Sequence, residues 1–188
     1  MQLCDILHEQ PTDFAIIKAE CNQFLTESDS HCVKRMLPRS YADVHRVKIR
    51  QHKRTDIITH VFNEAFNDVH NIRQRSLITY ASDLPATDTH EPFYVFPING
   101  YNFMYSSEVK NSSVDYKHII DVVFEQFSDE DKAASMISDI VKYTYTNHNL
   151  VEGIHAEAEI IFYNIPYYYA IRASTYPKYA TLLTHITI

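Results

Sequence analysis

The sequence predicts an α+β fold, with about four helices packed on an antiparallel sheet of five to six strands that includes two hairpins. Segments with apolar residues at helical spacing are interspersed with short segments in which apolar and polar residues alternate, as in a strand. Two pairs of aromatic segments also flank turn signals. No repeat or linker interrupts the 188 residues, so we expect residues 1–188 to form a single domain.

Helical spacing occurs in four segments. Apolar residues at every third or fourth position predict a helix over about residues 13–26. Thr55 or Asp56 caps the most amphipathic segment, which runs from Ile58 to Ile72. Two further helices and a final helical turn are predicted to begin at Ser112 or Ser113, at Ser128, and near Pro177.

Strands are predicted where alternation has period two. Val44–Arg50 and Leu77–Tyr80 are two such segments. A hairpin is predicted where Phe93–Phe96 and Tyr101–Tyr105 flank a turn that contains Asn-Gly. A second is predicted where Asn-Ile-Pro joins the last two strands, Glu159–Tyr163 and Tyr167–Arg172.

Composition excludes several enzyme classes. The chain has two glycines, where a usual frequency near 7% would give about thirteen. Walker loops, dinucleotide fingerprints and kinase glycine loops are therefore excluded, because phosphate-binding loops need glycine for close backbone approach. The eleven histidines lack ligand spacing, so no metal site is expected. Three cysteines without close pairing indicate reduced thiols.

Basic residues are concentrated in one segment. Between Val33 and Arg54 there are eight Lys and Arg residues and a single acid, Asp43, which gives a net charge of +7. The remainder has nine basic and 23 acidic residues, or −14, so the whole chain carries −7. Such a segment is suited to bind a negatively charged surface, either on a partner or on the acidic remainder of the chain itself.

Alternation over Val44–Arg50 places every second residue on the face opposite the apolar side chains. The cations on that face, and two that extend the charge toward the next helix, are predicted to bind anions: Arg46, Lys48, Arg50, Lys53 and Arg54. They would contact an acidic protein partner or nucleic acid. The alternatives are a solvated face, or one that pairs with the acids of residues 125–131.

Glu157 and Glu159 enter a late strand two residues apart, which predicts that both carboxylates point to the same side. The pair resembles the Glu-x-Glu element of mono-ADP-ribosyltransferases. The resemblance implies a catalytic Glu159, a Glu157 that activates the acceptor, and NAD as the cofactor. It further implies an arginine, Arg46 or Arg50, that binds the NAD phosphates, and Ser82 as a brace for the site.

Aromatic residues cluster in the two predicted hairpins. Exposed tyrosine suits protein recognition, because each ring gives a large contact area for little lost entropy. The candidate partner-binding residues are Tyr101, Tyr105, Tyr167, Tyr168 and Tyr169. Core packing is the alternative role for these rings.

Pro92–Tyr101 and Ala158–Tyr169 look like stretches of uncharacterised proteins from tailed bacteriophages. The resemblance implies a virion component or a protein that acts in the infected cell, located in the virion or host cytoplasm. The leading interpretation is a non-enzymatic interaction or assembly protein with no cofactor, which binds a protein partner or a second copy. The alternatives are the transferase and a nucleic-acid-associated protein. With no apolar run near 18 residues and no basic N-terminal leader, neither membrane insertion nor secretion is expected.

Overall fold

The computed structural model describes residues 12–51, 56–69, 71–127 and 129–184. The helices are α1 (Thr12–Glu20), α2 (Asn22–Glu27), α3 (Ile57–Ala65), α4 (Ser112–Asp115), α5 (Lys117–Gln126), α6 (Glu130–Thr144), α7 (Leu150–His155) and α8 (Ala180–Thr184). The strands are β1 (Val33–Pro38), β2 (Val44–Lys48), β3 (Leu77–Tyr80), β4 (His90–Pro97), β5 (Asn102–Tyr105), β6 (Glu159–Tyr163) and β7 (Tyr167–Arg172). None of the helices in the described ranges is both long and apolar enough to cross a bilayer.

The α+β class is confirmed, and the described residues form a sheet of seven antiparallel strands instead of the expected five to six. β1 was missed, because in Val33–Pro38 two adjacent cations interrupt the apolar pattern. There are also more than the expected four helices, because segments predicted to be single helices are interrupted. α3 ends at Ala65, and Asn71 then adopts a left-handed conformation with φ 56°. The first predicted helix is interrupted at Cys21, where α2 begins anew.

The expected hairpins are both wrong. The strand order is β2-β7-β4-β1-β3-β6-β5, so three strands separate β4 from β5, and three separate β6 from β7. The Asn-Gly turn instead makes hydrogen bonds to residues at the junction of α1 and α2. The side-chain amide of Asn99 donates to the carbonyl of Ala19 at 2.8 Å, and the N–H of Gly100 donates to the side chain of Gln23 at 2.8 Å.

The sheet is strongly curled. In a flat sheet β6 and β7 would lie about 19 Å apart, at about 4.8 Å per strand. Residues 164–166 connect them, and four peptide steps reach only about 14 Å. The ring of Phe24 in α2 accordingly contacts both Phe96 of β4 and Phe162 of β6, at centroid distances of 6.1 and 5.8 Å. α2 therefore lies in the concave side of the sheet.

The core is built on both faces of the sheet. Successive residues of β6 show this, because Ile160 and Phe162 pack in the cluster that includes α1 and α2, whereas Ile161 packs with α3 and α6. The side chain of Asp56 caps α3 by accepting the N–H of Thr59 at 2.8 Å. The sheet therefore lies between two buried apolar layers, one on each of its faces.

Candidate functional site

β2 is an edge strand whose outer face is cationic. Among the strands that the structure describes it pairs only with β7, and its register places Arg46 opposite Tyr169 and Lys48 opposite Tyr167. Arg46, Lys48 and Arg50 are exposed, whereas the intervening apolar side chains are half-buried. The predicted alternation is therefore confirmed, and we call these three residues the basic edge surface. Lys53 and Arg54, predicted to extend it, lie outside the described residues.

The other cations of the basic segment contact acceptors within the chain. Lys34 makes an ion pair with Asp83, and two arginines donate to backbone carbonyl oxygens at 2.9 Å. These two are Arg35 and Arg39. In contrast, no carboxylate in the described part of the chain lies within 4 Å of the basic edge surface. Three positive charges are therefore left to face solvent or a partner.

Aromatic contacts position Arg46. Its guanidinium lies 3.7 Å from the ring centroid of Tyr167. The hydroxyls of Tyr167 and Tyr169 both donate to Oε2 of Glu20, at 2.9 and 2.8 Å. The hydrogen bond to Glu20 raises the pKa of the Tyr167 hydroxyl above its ordinary value, which further favours the protonated form that donates. Arg46 thus rests on a ring that is itself fixed to α1.

The structure contradicts an exposed role for four of the five candidate partner-binding tyrosines. Tyr167 alone of these is partly exposed, and the others are buried: Tyr101, Tyr105, Tyr168 and Tyr169. The hydroxyl of Tyr101 donates to Glu27 at 2.6 Å, and that of Tyr105 to the carbonyl of His148 at 3.0 Å. Because helices cover both faces of the curled sheet, alternation does not expose these rings.

A buried charge cluster lies at the start of β6. Glu159 is 0% exposed and Arg73 3% exposed, and Nη1 of Arg73 lies 3.3 Å from Oε1 of Glu159. Ser112 donates to the same carboxylate twice, from its N–H at 3.1 Å and from its hydroxyl at 2.6 Å. Burial, to which the charge of Glu159 adds, raises the pKa of the neighbouring Tyr145 hydroxyl. We call Arg73, Ser112 and Glu159 the buried charge cluster.

The expected carboxylate pair is not formed on one strand face. Glu157 is exposed and precedes β6 in a left-handed turn with φ 55°, whereas Glu159 begins the strand and is buried. Among the described residues, the direct polar contacts of the Glu159 carboxylate come from Arg73 and Ser112. The residues expected beside it, Arg46, Arg50 and Ser82, make no such contact.

Sequence reasoning missed Arg73 and assigned Ser112 a different role. Arg73 follows an amphipathic helix, where a cation ordinarily faces solvent. Ser112 was expected to cap the next helix, but Asn111 is the cap, and its side chain accepts the N–H of Ser113 at 3.1 Å. The Ser112 hydroxyl is therefore available to Glu159. A serine beside a good cap gives no sequence signal that identifies such a partner.

Two adjoining cavities of about 450 and 350 Å³ share Arg35 and Ser76 in their linings. No carboxylate lines this cationic cleft in the described part of the chain, whereas five cations do: Arg35, Arg46, Lys48, Arg50 and Arg73. Arg73 Nε and Ser76 Oγ are buried without a hydrogen-bond partner among the described residues. Such orphaned groups cost stability, so the cleft is suited to a polar, negatively charged ligand.

Within the described ranges, no three His, Cys, Asp or Glu side chains come together to hold a metal ion. Burial raises the pKa of the Cys21 thiol, which lies 3.4 Å from the carbonyl oxygen of Phe96. That thiol is therefore a poor nucleophile and a poor metal ligand.

No protein-family model, curated protein or solved structure matches this chain. Its function has to be inferred from its own residues and contacts.

Proposed function

We propose that this protein is a non-enzymatic interaction protein that binds an acidic protein partner through the basic edge surface. The observation that carries the proposal is that Arg46 and Lys48 of the edge strand, with Arg50 just after it, are exposed without a carboxylate in the described residues to neutralise them. Charges of one sign on an open surface steer and orient a partner of opposite sign. The phage resemblance supplies a setting in virion assembly or in binding to a host factor.

The distribution of charge supports a role for the basic edge surface in binding a partner, rather than in contact with solvent only. The chain is acidic overall at −7, and the neighbouring basic residues Lys34, Arg35 and Arg39 are held by internal contacts. A solvated basic face on such a chain would readily acquire acidic neighbours, because opposite charges across adjacent strands are mildly stabilising. Among the described cations of the basic segment, those without an internal acceptor are instead Arg46 and Lys48 of the edge strand β2 and Arg50 just after it.

Retention on immobilised polyglutamate at increasing salt tests the proposal. The triple variant Arg46→Gln, Lys48→Gln and Arg50→Gln should elute at clearly lower salt than the native protein. The matched control replaces three exposed lysines elsewhere by glutamine, so that the net charge changes equally: Lys117, Lys142 and Lys178. Equal elution of the two triple variants would show that overall charge, and not this surface, governs binding.

The same two variants test nucleic-acid association, the third function considered. Binding to a single-stranded oligonucleotide should fall linearly with the logarithm of salt concentration if phosphates are contacted. We expect the polyglutamate effect to exceed the oligonucleotide effect, because the chain lacks a known nucleic-acid motif and carries a negative total charge. The reverse order would favour nucleic acid.

The second candidate function is an ADP-ribosyltransferase-like enzyme that uses NAD. One observation favours it: Arg73, Ser112 and Glu159 meet, which are the three residue types that the resemblance implies, although only Glu159 is at the expected position. The adjoining cationic cleft and its orphaned Arg73 Nε suit a phosphate-bearing cofactor. Glu159 has no exposed surface, so a transferase would have to open the cluster.

Thermal unfolding in millimolar NAD tests the enzyme. A transferase predicts that NAD raises the melting temperature, because a ligand that binds only the native state stabilises it. Glu157→Gln should keep the shift and Glu159→Gln should lose it, each measured against its own NAD-free sample. If NAD leaves the melting temperature of the native protein unchanged, the enzyme is ruled out.

A further inference from the structure

The pairing of β2 with β7 decides which way the backbone of β2 points. The N–H of Arg172 donates to the carbonyl of Asp43 at 2.8 Å, and the N–H of Ile49 donates to that of Pro166 at 2.9 Å. In an antiparallel pair, residues that bond the neighbouring strand alternate with residues whose N–H and C=O point away from it. The odd-numbered residues of this segment bond β7. The residues that point outward are therefore Val44, Arg46 and Lys48.

These outward backbone groups are open. No described residue forms a backbone or side-chain hydrogen bond with them, and β2 has one neighbouring strand in the sheet. An open edge can pair with a strand from another chain, and proteins commonly block it with a bulge or a covering segment. β2 has no bulge, since its five residues pair in unbroken register with β7. Its cations discourage pairing with most strands and favour an acidic one.

We infer that the acidic partner docks by strand addition, as an extended acidic peptide segment that pairs antiparallel with β2. This inference rests on the proposed function, because it names the form that the partner takes at the same surface. Every pairing in the sheet is antiparallel, so an added strand continues the existing pattern. Acidic side chains at alternate positions would lie directly opposite Arg46 and Lys48, on the same face.

Two other occupants fit less well. A second copy that paired β2 with β2 would place cations opposite cations, which is destabilising. A nucleic-acid strand offers phosphate oxygens, which only accept hydrogen bonds. Those phosphate oxygens could accept from the outward N–H groups of Val44, Arg46 and Lys48 but could not donate to the carbonyl oxygens between them. A peptide strand satisfies both kinds of group.

A short peptide of alternating glutamate and valine tests the inference by calorimetric titration into the native protein. In the inferred register, the glutamates face Arg46 and Lys48 and use their own N–H groups to bond β2. N-methylation of the glutamates removes these hydrogen bonds, whereas N-methylation of the valines blocks N–H groups that point away from β2. The two methylated peptides have the same charge and composition, so their difference reports backbone pairing alone.

We expect the valine-methylated peptide to bind like the parent peptide and the glutamate-methylated peptide to bind about tenfold or more weakly. Equal binding of the two methylated peptides, lost in the Arg46/Lys48/Arg50 triple glutamine variant, would overturn strand addition while acidic docking stands. Equal binding of the parent peptide to the native protein and to that variant would overturn both. Self-association through β2, seen by sedimentation without peptide, would also overturn the inference.

Discussion

Replacement of Glu159 by glutamine should be among the most destabilising conservative changes in this protein. The carboxylate is fully buried, and it is matched by Arg73 at 3.3 Å and by two hydrogen bonds from Ser112. The amide keeps the shape, but its single oxygen cannot replace both of the carboxylate oxygens that accept from Ser112. It also leaves the guanidinium of Arg73 buried without a counter-charge. Breaking a buried ion pair in this way costs about 3–5 kcal/mol. For a chain of this size, that loss lowers the melting temperature by about 6–20 °C.

Equilibrium unfolding in urea, followed by circular dichroism, measures this cost. Glu157→Gln is the matched control, because Glu157 is exposed and its replacement should change stability by less than about 0.5 kcal/mol. Arg73→Met should be destabilising for the converse reason. The double variant Arg73→Met/Glu159→Gln should cost less than the sum of the single changes, because neither charge is then left alone. Stability of Glu159→Gln equal to that of Glu157→Gln would refute the reasoning.

Three further predictions concern other parts of the fold. Gly153→Ala should destabilise by about 1–3 kcal/mol in urea unfolding, because a Cβ there would lie 2.7 Å from Cγ of the buried Tyr105 ring; a stabilised variant would contradict this packing. Burial lowers the pKa of His45, so the unfolded chain takes up its proton first on acidification and the folded state loses stability as pH falls through about 6.5. The drop in melting temperature from pH 7.5 to 5.5 should therefore be smaller in His45→Gln than in the native protein, and an equal drop would count against it. Refolding monitored by stopped flow should take milliseconds to seconds or longer, since none of the seven described strands pairs with the next one through a short turn, and microsecond refolding would be inconsistent with this topology.

Local sequence patterns predicted individual helices and strands better than they predicted which strands pair with each other. The α3 cap at Asp56 and the alternation of β2 were both predictable, because each depends on residues a few positions apart. The strand order was not, since Asn99-Gly100 favours a hairpin locally but is held by α1 and α2 instead. That contact joins residues about eighty positions apart, and no local pattern reports it.

The candidate sites divide in the same way. The exposure of Arg46 follows from alternation on an edge strand, because every second side chain of β2 points away from the half-buried Val47. The burial of Arg73 depends on Ser112 and Glu159, which arrive from distant elements and compensate its charge. A buried arginine looks like a surface arginine in sequence, because only its partners distinguish the two.

The order of the strands has a consequence for biosynthesis. Among the described strands, β2 pairs with β7, which is translated much later, so β2 leaves the ribosome before the strand with which it pairs. Until translation reaches Tyr167–Arg172, this positively charged stretch has no template against which to extend. A polypeptide whose synthesis stops before β7 would consequently lack an ordered basic edge surface, and a ligand that depends on the geometry of that surface would bind only molecules that contain β7.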